Sequence, residues 1–343
     1  MVLYQILGAL SLCALAVYGF GVFTTWRFFK HPPPPPLEIA PAVSVLKPIK
    51  GLEEELKENL QSFFDQVYPG PWEIVFSSND PDDPGIIVAK QVARDYPEIP
   101  CRFIQSDTSF GRNPKVCDLA GAYFAAHHDL VLQTDANVRV PKTFLSKVVS
   151  EFESQGISLL SCPVVGAEEQ AWGAAVENTH LCTFITPSVC FTKLMTGITC
   201  VIGKAMLLRR SELEELGGLA MFKDKLCEDY LLGDCYRKNG RVVELSRQPI
   251  TNINIQLPLK HFFSRHSRWL KMQAVIHPPS FVLALLWGNP GALAFAAWIL
   301  SCASVSMTVL LLGVIAAKAA GDILLFSLLA TNRLAWLIFG SYP

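Results

Sequence analysis

Long runs without charge lie at the start of this chain and near its end, and they limit its architecture more than any other feature. Residues 1–26, "MVLYQILGALSLCALAVYGFGVFTTW", hold no charged side chain, and Arg27, Lys30 and His31 follow at once. The run reaches the roughly 20 residues a helix needs to cross a bilayer. A cleaved signal would place basic residues first, then a shorter apolar core and a small-residue cleavage site. Here the order is reversed, so residues 1–30 are expected to be an uncleaved transmembrane anchor. Its basic flank puts the following chain in the cytoplasm. Residues 278–317 are again uncharged, and Asp322 and Arg333 are the only charges after Lys318. That stretch suits two spans, with breaks at 288–290 or 301–306, and 323–339 is a third candidate. Residues 278–343 therefore read as two or three transmembrane spans.

The middle of the chain has a different character. "HPPPPPLEIAP", residues 31–41, is a stiff, extended, proline-rich linker. From 42 to 255 strand and helix patterns alternate. "AVSVLKPIKG" is a strand ending at Lys47-Pro48. An amphipathic helix follows, with Leu56, Leu60, Phe63 and Phe64 on one face. "WEIVFSS", "CRFIQSD" and "DLVLQTDAN" are further strands, separated by the helical patterns "GIIVAKQVARDY" and "KVCDLAGAYFAAH". Such an array predicts an α/β domain with a largely parallel sheet and ligands at the carboxyl ends of its strands. No glycine-rich phosphate loop occurs, which removes the common dinucleotide and P-loop readings. The net charge of −1 provides no field for nucleic acid. Ten cysteines without a CxxC spacing argue against a disulfide framework or zinc site and for a reducing compartment. Cys200, Cys227 and Cys235 read as small buried hydrophobes.

Two strands end in carboxylates, Asp80 after "IVFSS" and Asp135 after "LVLQT", with Asn137 two residues on. Each alone is an ordinary turn residue; two at one sheet edge can hold a base, a ribose or a metal-bound diphosphate. Glu228 and Asp229 open a helical pattern in "CEDYLLGD". Acids there complement the helix dipole, and a carboxylate facing a hydroxyl can also act as a general base. Residues 256–277 form an amphipathic juxtamembrane segment. Six Lys or Arg and one acid lie between 241 and 271, a bias that also suits the cytoplasmic side of a membrane. Within it Arg265, Arg268 and Trp269 share a helical face, and two guanidinium groups suit a diphosphate.

The motifs "VSVLKPIKG", "NDPDDP", "NPKVCDL", "TDANVRV", "GITCVIGKAMLLRR", "CEDYLLGD" and "RHSRW" occur over residues 43–275 in an order that resembles the ceramide glucosyltransferase family. Its members carry three spaced aspartates followed by a (Q/R)xxRW signature. The resemblance implies an α/β, GT-A (Rossmann-like) glycosyltransferase domain between an N-terminal transmembrane helix and C-terminal transmembrane helices. It implies that Asp80 holds the nucleotide at the uracil or ribose, with Lys47 and Lys115 also at the donor. Asp135 would bind a divalent ion, Mg²⁺ or Mn²⁺, with Asn137 standing where a full DxD has its second acid; asparagine still offers an oxygen ligand. Asp229 would be the base, Arg265 and Arg268 would neutralise departing UDP, and Trp269 would line the acceptor side. Thr186 stands where some members have a histidine, and His180 lies nearby.

The activity implied is inverting transfer of a sugar, glucose first, from UDP-glucose or another UDP-hexose to the primary hydroxyl of ceramide. A related bacterial group that glycosylates hopanoid lipids carries similar motifs, so a hopanoid or other lipid acceptor is the alternative. The expected partners are a lipid acceptor, membrane lipids and a UDP-sugar, with no nucleic acid. A transporter or lipid-binding protein would need ionisable groups along a membrane path, and residues 278–317 hold none. A tethered UDP-sugar-binding protein without catalysis would not need Asp229.

Overall fold

The structure, a computed structural model, describes residues 2–30, 35, 37, 39–279, 281, 282, 284 and 290–329. In chain order the elements are α1 (Val2–Phe29), β1 (Val43–Pro48), α2 (Leu56–Phe64), β2 (Trp72–Ser78), α3 (Pro84–Arg94), β3 (Cys101–Gln105), α4 (Pro114–Ala125), β4 (Leu130–Thr134), β5 (Val138–Arg139), α5 (Phe144–Ser154), β6 (Leu159–Ser161) and β7 (Val164–Ala167). Then come α6 (Trp172–His180), a π-turn at Leu181–Ile185, α7 (Thr186–Thr196), β8 (Ala205–Arg209), α8 (Arg210–Glu215), α9 (Glu228–Lys238), β9 (Val243–Leu245), β10 (Ile250–Ile253), α10 (Leu259–Ile276), α11 (Pro290–Leu300) and α12 (Val305–Leu329). Packing sorts them into two units. One is Pro32–Gln170 with Thr196–Ile255; the other is Met1–His31, Ala171–Met195 and Gln256–Pro343.

The first unit is built on a seven-stranded sheet ordered β3-β2-β1-β4-β8-β6-β9, beside a three-stranded sheet ordered β5-β10-β7. Strands β3, β2, β1 and β4 run parallel, as the alternating pattern predicts, and β8 runs antiparallel to both its neighbours. Every residue of β2 and β4, and all of β1 before Pro48, is buried. Their apolar runs do not alternate because these central strands are covered on both faces. Helix α4 supplies part of the cover, with Val116, Leu119, Ala120 and Tyr123 in one apolar cluster with Leu46 and Val75. Burial of a valine or leucine side chain such as Val116 or Leu119 contributes about 1.5–3 kcal/mol.

The strand order determines where a ligand can go. From β1 the chain passes to β2 on one side and later returns to β4 on the other, so β1 and β4 flank the topological switch point. Their register pairs Leu46 with Gln133, which brings the ends Lys47-Pro48 and Thr134-Asp135 side by side. Beyond β2, the turn "NDPDDP" is organised by its last acid. Asp83 caps α3 by accepting from the Gly85 amide at 2.7 Å, and its other oxygen accepts from the Gly51 amide at 2.8 Å.

Among its described residues the second unit contains two helices long and apolar enough to cross a membrane, α1 and α12. Polar contacts join them. The Tyr18 hydroxyl donates to Asp322 Oδ1 at 2.6 Å, and Lys318 Nζ donates to Asp322 Oδ2 at 2.7 Å. Gly321 leaves room for the tyrosine ring, since a Cβ there would lie 2.7 Å from the hydroxyl. Polar groups in an apolar span are costly unless paired in this way. Helix α11 has 11 residues, about 16 Å, well short of the roughly 30 Å hydrocarbon core. A turn at residues 301–304 separates it from α12, inside one of the two breaks expected from sequence. Residues 288 and 289 of the other break lie outside the described residues. Of the third candidate span, 323–329 is the end of α12 rather than a new helix, and 330–339 lie outside the described residues. Residues 31–34, 36 and 38 of the proline-rich linker are also outside them.

One boundary differs from the sequence reading. The domain expected at 42–255 is interrupted, because Ala171–Met195 packs with the terminal segments; the buried Glu177 of α6 is held by residues of α10. Asp83→Ala removes a helix cap and a loop brace together and should lower stability by about 1–2 kcal/mol. Urea unfolding of the detergent-solubilised protein should show a lower midpoint with an unchanged slope.

Candidate active site

At the switch point three lysines meet one aspartate. Asp135 follows the last residue of β4. Its Oδ1 lies 3.5 Å from Lys115 Nζ and its Oδ2 lies 3.0 Å from Lys204 Nζ. Its backbone carbonyl accepts from Lys47 Nζ at 2.9 Å. Burial alone would push this carboxyl up, but Lys115, Lys204 and Lys47 hold it at about 2. Asp135 is therefore charged at any working pH.

The three lysines differ in character. Lys47 is 0% exposed, and its ammonium also sits 3.6 Å from the centroid of the Phe63 ring. Burial, with Lys204 adding to it, pulls its affinity for a proton well below the ordinary lysine value, against the opposing effect of Asp135. Sequence reading set Lys47 at the donor; in the structure it has no exposed surface and braces the backbone of Asp135 instead. Lys115 is brought in by α4, whose N-cap Asn113 accepts from the Lys115 amide at 3.1 Å. Its Nζ donates to the Gly203 carbonyl at 3.0 Å and lies 3.4 Å from Glu228 Oε1. Burial would lower Lys115, but Asp135, Glu228 and Asp229 outweigh it and hold its ammonium well above the usual range. Lys204, at the entry to β8, also donates to Asn137 Oδ1 at 2.8 Å.

Helix α9 presents Glu228 and Asp229 from its first turn. Cys227, just before it, holds φ 57° and ψ 47°, a left-handed conformation that costs a non-glycine residue on the order of 1–3 kcal/mol. That kink sets the direction in which the two acids leave the loop. Asp229 Oδ2 accepts from the Gly203 amide at 2.8 Å, and its Oδ1 accepts from the Tyr230 amide at 2.8 Å. Burial pushes Asp229 above the ordinary carboxylate range and Glu228 adds to this, while Lys115 and the two amides oppose it. Position 203 requires glycine, because a Cβ would lie 2.8 Å from Asp229 Oδ2 and 3.1 Å from Lys115 Nζ. Lys115 thus joins Asp135 to the Glu228–Asp229 pair.

Asp80 stands apart in character. It is exposed, and its Oδ1 accepts from the Asp82 amide at 3.0 Å, the local bond of an acidic turn. Among the described residues no group of three or more His, Cys, Asp or Glu is arranged to hold a metal ion. The Asp135 carboxylate and the Asn137 amide oxygen nonetheless converge on one cationic group, the Lys204 ammonium. Two hard oxygens of this kind fit Mg²⁺ or Mn²⁺, which keep other positions for water and phosphate.

The second unit holds the RHSRW segment on α10. Glu177 of α6 is 0% exposed. It lies 3.2 Å from Arg265 Nη1 and 2.7 Å from His266 Nε2. Arg265 also lies over the Trp269 ring, 4.8 Å from its centroid. Arg268 is exposed and has no ion pair among the described residues. The two arginines, expected as a pair on one face, are thus differently engaged. His180 packs against Phe184 and His266, with ring centroids at 4.7 and 4.4 Å. Burial, then the neighbouring His266, hold its imidazolium down to about 3, so His180 is neutral near pH 7. Thr186 is wholly buried. The sequence assigns no role to Lys204 or Glu177, and to Glu228 only that of a first-turn helix acid. Lys204 and Glu228 lie in quoted motifs, whereas no motif marks Glu177.

The mixed sheet with its parallel β3-β2-β1-β4 half and its acidic carboxyl edge is a GT-A glycosyltransferase fold. Among solved structures the chain is similar to a mannosyltransferase from Pyrobaculum calidifontis in complex with GDP-Man and Mn²⁺. The match has 18% identity and a TM-score of 0.56, and it covers 96% of this chain and 99% of that one. The family model described as glycosyl transferase family 21 matches residues 6–342, and the chain belongs to that family. Ceramide glucosyltransferase 1 of Caenorhabditis elegans is 28% identical over 244 residues, 71% of this chain and 52% of that protein. Ceramide glucosyltransferase of Komagataella phaffii is 29% identical over 319 residues, 76% of this chain and 62% of that protein. The chain thus spans about half to three-fifths of the length of these relatives.

Glu177→Ala should leave Arg265 and His266 without their buried acceptor and release α10. The expected outcome is a lower melting temperature and faster tryptic cleavage at Arg265, Arg268 and Lys271. Unchanged cleavage would show that α10 is held by its apolar contacts alone.

Proposed function

We propose that the chain is a membrane-bound, inverting glycosyltransferase that moves a hexose, glucose first, from a UDP-sugar to the primary hydroxyl of ceramide. The observation that carries this reading is the pair of unlike carboxylates joined through Lys115. Asp135 is held ionised, whereas Asp229 is held above the ordinary range. Two carboxylates pushed apart in this way suit separate tasks, charge binding and proton transfer. Membership of glycosyl transferase family 21 and the named relatives support the donor and acceptor class. A hopanoid or other lipid hydroxyl is the alternative acceptor.

In this reaction the acceptor oxygen attacks the anomeric carbon as the bond from that carbon to the diphosphate oxygen breaks. The acceptor proton passes to Asp229, and UDP leaves with the bonding electrons. A divalent ion held by Asp135 and Asn137 would supply charge neutralisation for the diphosphate. Lys115 keeps Asp135 and Asp229 in register, and Lys47 fixes the Asp135 backbone. Arg268, whose role at the departing UDP rests on the family resemblance, is exposed and has no ion pair among the described residues. Arg265 anchors α10 through Glu177. We place the protein as a multi-pass membrane protein with this site on the cytoplasmic face, where Arg27, Lys30 and His31 flank α1.

Product analysis with UDP-hexoses and a panel of ceramide, sterol, diacylglycerol and hopanoid acceptors tests the assignment. Transfer to ceramide is the expected result, and transfer only to another lipid would replace it. Asp229→Asn should lower turnover by about 10²–10⁴ while UDP affinity, measured by calorimetry, is kept. Because burial raises Asp229, the acid limb of the wild-type rate profile should lie at higher pH than for an exposed aspartate. Activity falls as pH drops through that raised value and the base takes up its proton. A profile flat down to pH 4 would remove Asp229 from the base role. Arg268→Gln should weaken UDP binding by about 10–100-fold, the loss of a charged hydrogen bond. Arg265→Gln should leave it within a few-fold, and equal losses for the two would overturn the division of roles.

A further inference from the structure

Lys204 occupies a position that its charge alone does not require. Its ammonium lies 3.0 Å from Asp135 Oδ2 and donates to Asn137 Oδ1 at 2.8 Å. These are the two side-chain oxygens that would hold a divalent ion, and an ammonium this close excludes a second cation from them by direct repulsion. Asp135 carries a single negative charge and already faces Lys115 on its other oxygen. A divalent ion arriving alone would therefore bring two positive charges to a half-buried carboxylate that already faces two ammonium groups, with the nearby Glu228 itself engaged by Lys115. A nucleoside diphosphate brings the missing negative charge on its own oxygens. Lysine suits an exchange of partners, because its ammonium is a point charge on a flexible four-carbon stem, without the fixed fork of arginine.

We propose that Lys204 is a resident cation that keeps free divalent ions off Asp135 and Asn137 until the donor diphosphate arrives. Its ammonium then passes from these two oxygens to a diphosphate oxygen, and the divalent ion takes the position it leaves. Metal and nucleotide enter together, and the empty enzyme holds no divalent ion at this site. No covalent bond changes in this exchange. The proposal rests on the reading of the site as one for a UDP-sugar, and it adds a binding order and a residue that enforces it.

The test uses the full chain in detergent, with Mn²⁺ uptake followed by the electron paramagnetic resonance of the free ion, with and without UDP. Wild-type protein should bind Mn²⁺ at least about tenfold more tightly with UDP than without it, the scale of one nearby charge. Lys204→Met should bind Mn²⁺ alone at least about tenfold more tightly than wild type and should bind UDP more weakly. A Lys204→Met protein with wild-type Mn²⁺ affinity in the absence of UDP overturns the proposal. So does tight wild-type binding of Mn²⁺ without nucleotide. If Lys204→Met fails to fold, Lys204→Arg decides. Its rigid fork should stay on Asp135 and reduce Mn²⁺ uptake in the UDP complex, and unchanged uptake there refutes the exchange. Calorimetry of UDP with wild-type protein separates the two levels: no UDP binding removes the donor reading itself, whereas normal UDP binding with no effect of Lys204 removes the exchange alone.

Discussion

Charge balance around Asp135 is the constraint on which the rest of the catalytic unit depends. A carboxylate at the end of a buried strand would ordinarily be raised by desolvation, and three lysines reverse that. Each lysine arrives from a different element: Lys47 from β1, Lys115 from α4, and Lys204 from the entry to β8. The sheet order that places β1, β4 and β8 next to one another is therefore also the order that keeps Asp135 ionised. Lys115 extends the balance to Glu228 and Asp229, so α9 is tied to the same charge.

The two acids proposed for metal binding and for proton transfer are held by opposite means. Asp135 is stabilised as an anion by cations, whereas Asp229 is burdened by burial and by Glu228 and relieved only in part by Lys115 and two amides. The strained Cys227 and the obligatory Gly203 serve the second arrangement, one by turning the chain and the other by leaving room. Backbone strain of this kind recurs at sites whose geometry is fixed in advance.

In the terminal unit the organising group is another buried carboxylate. Glu177 has no exposed surface and meets both Arg265 and His266 on α10. A buried acid of this kind is tolerated only with such partners, which explains why a segment in the middle of the sequence packs with helices from its end. The contacts of Tyr18, Lys318 and Asp322 have the same logic within the apolar helices, where an unpaired polar group is more expensive still.

Much of the fold is legible in the sequence itself. The apolar ends, the alternation of strand and helix, and the motif order identified the fold class and the family, because they depend on local periodicity and on short contiguous motifs. The strand ends at Asp80 and Asp135 were equally visible, yet they were indistinguishable as sequence: both are acids closing an apolar run. Only the sheet separates them, by giving Asp135 three cations and leaving Asp80 in a local turn. Lys47 read as a donor ligand because it sits in a matching motif, and burial under Phe63 turned it into a brace. Glu177, Lys204 and the difference between Arg265 and Arg268 depend on partners dozens of residues away. The chain by itself determined which segments are apolar, which are strands and which carry reactive groups. The tertiary structure alone decided which charges meet, because ion pairing and burial are properties of distance in space, and sequence separation does not report that distance.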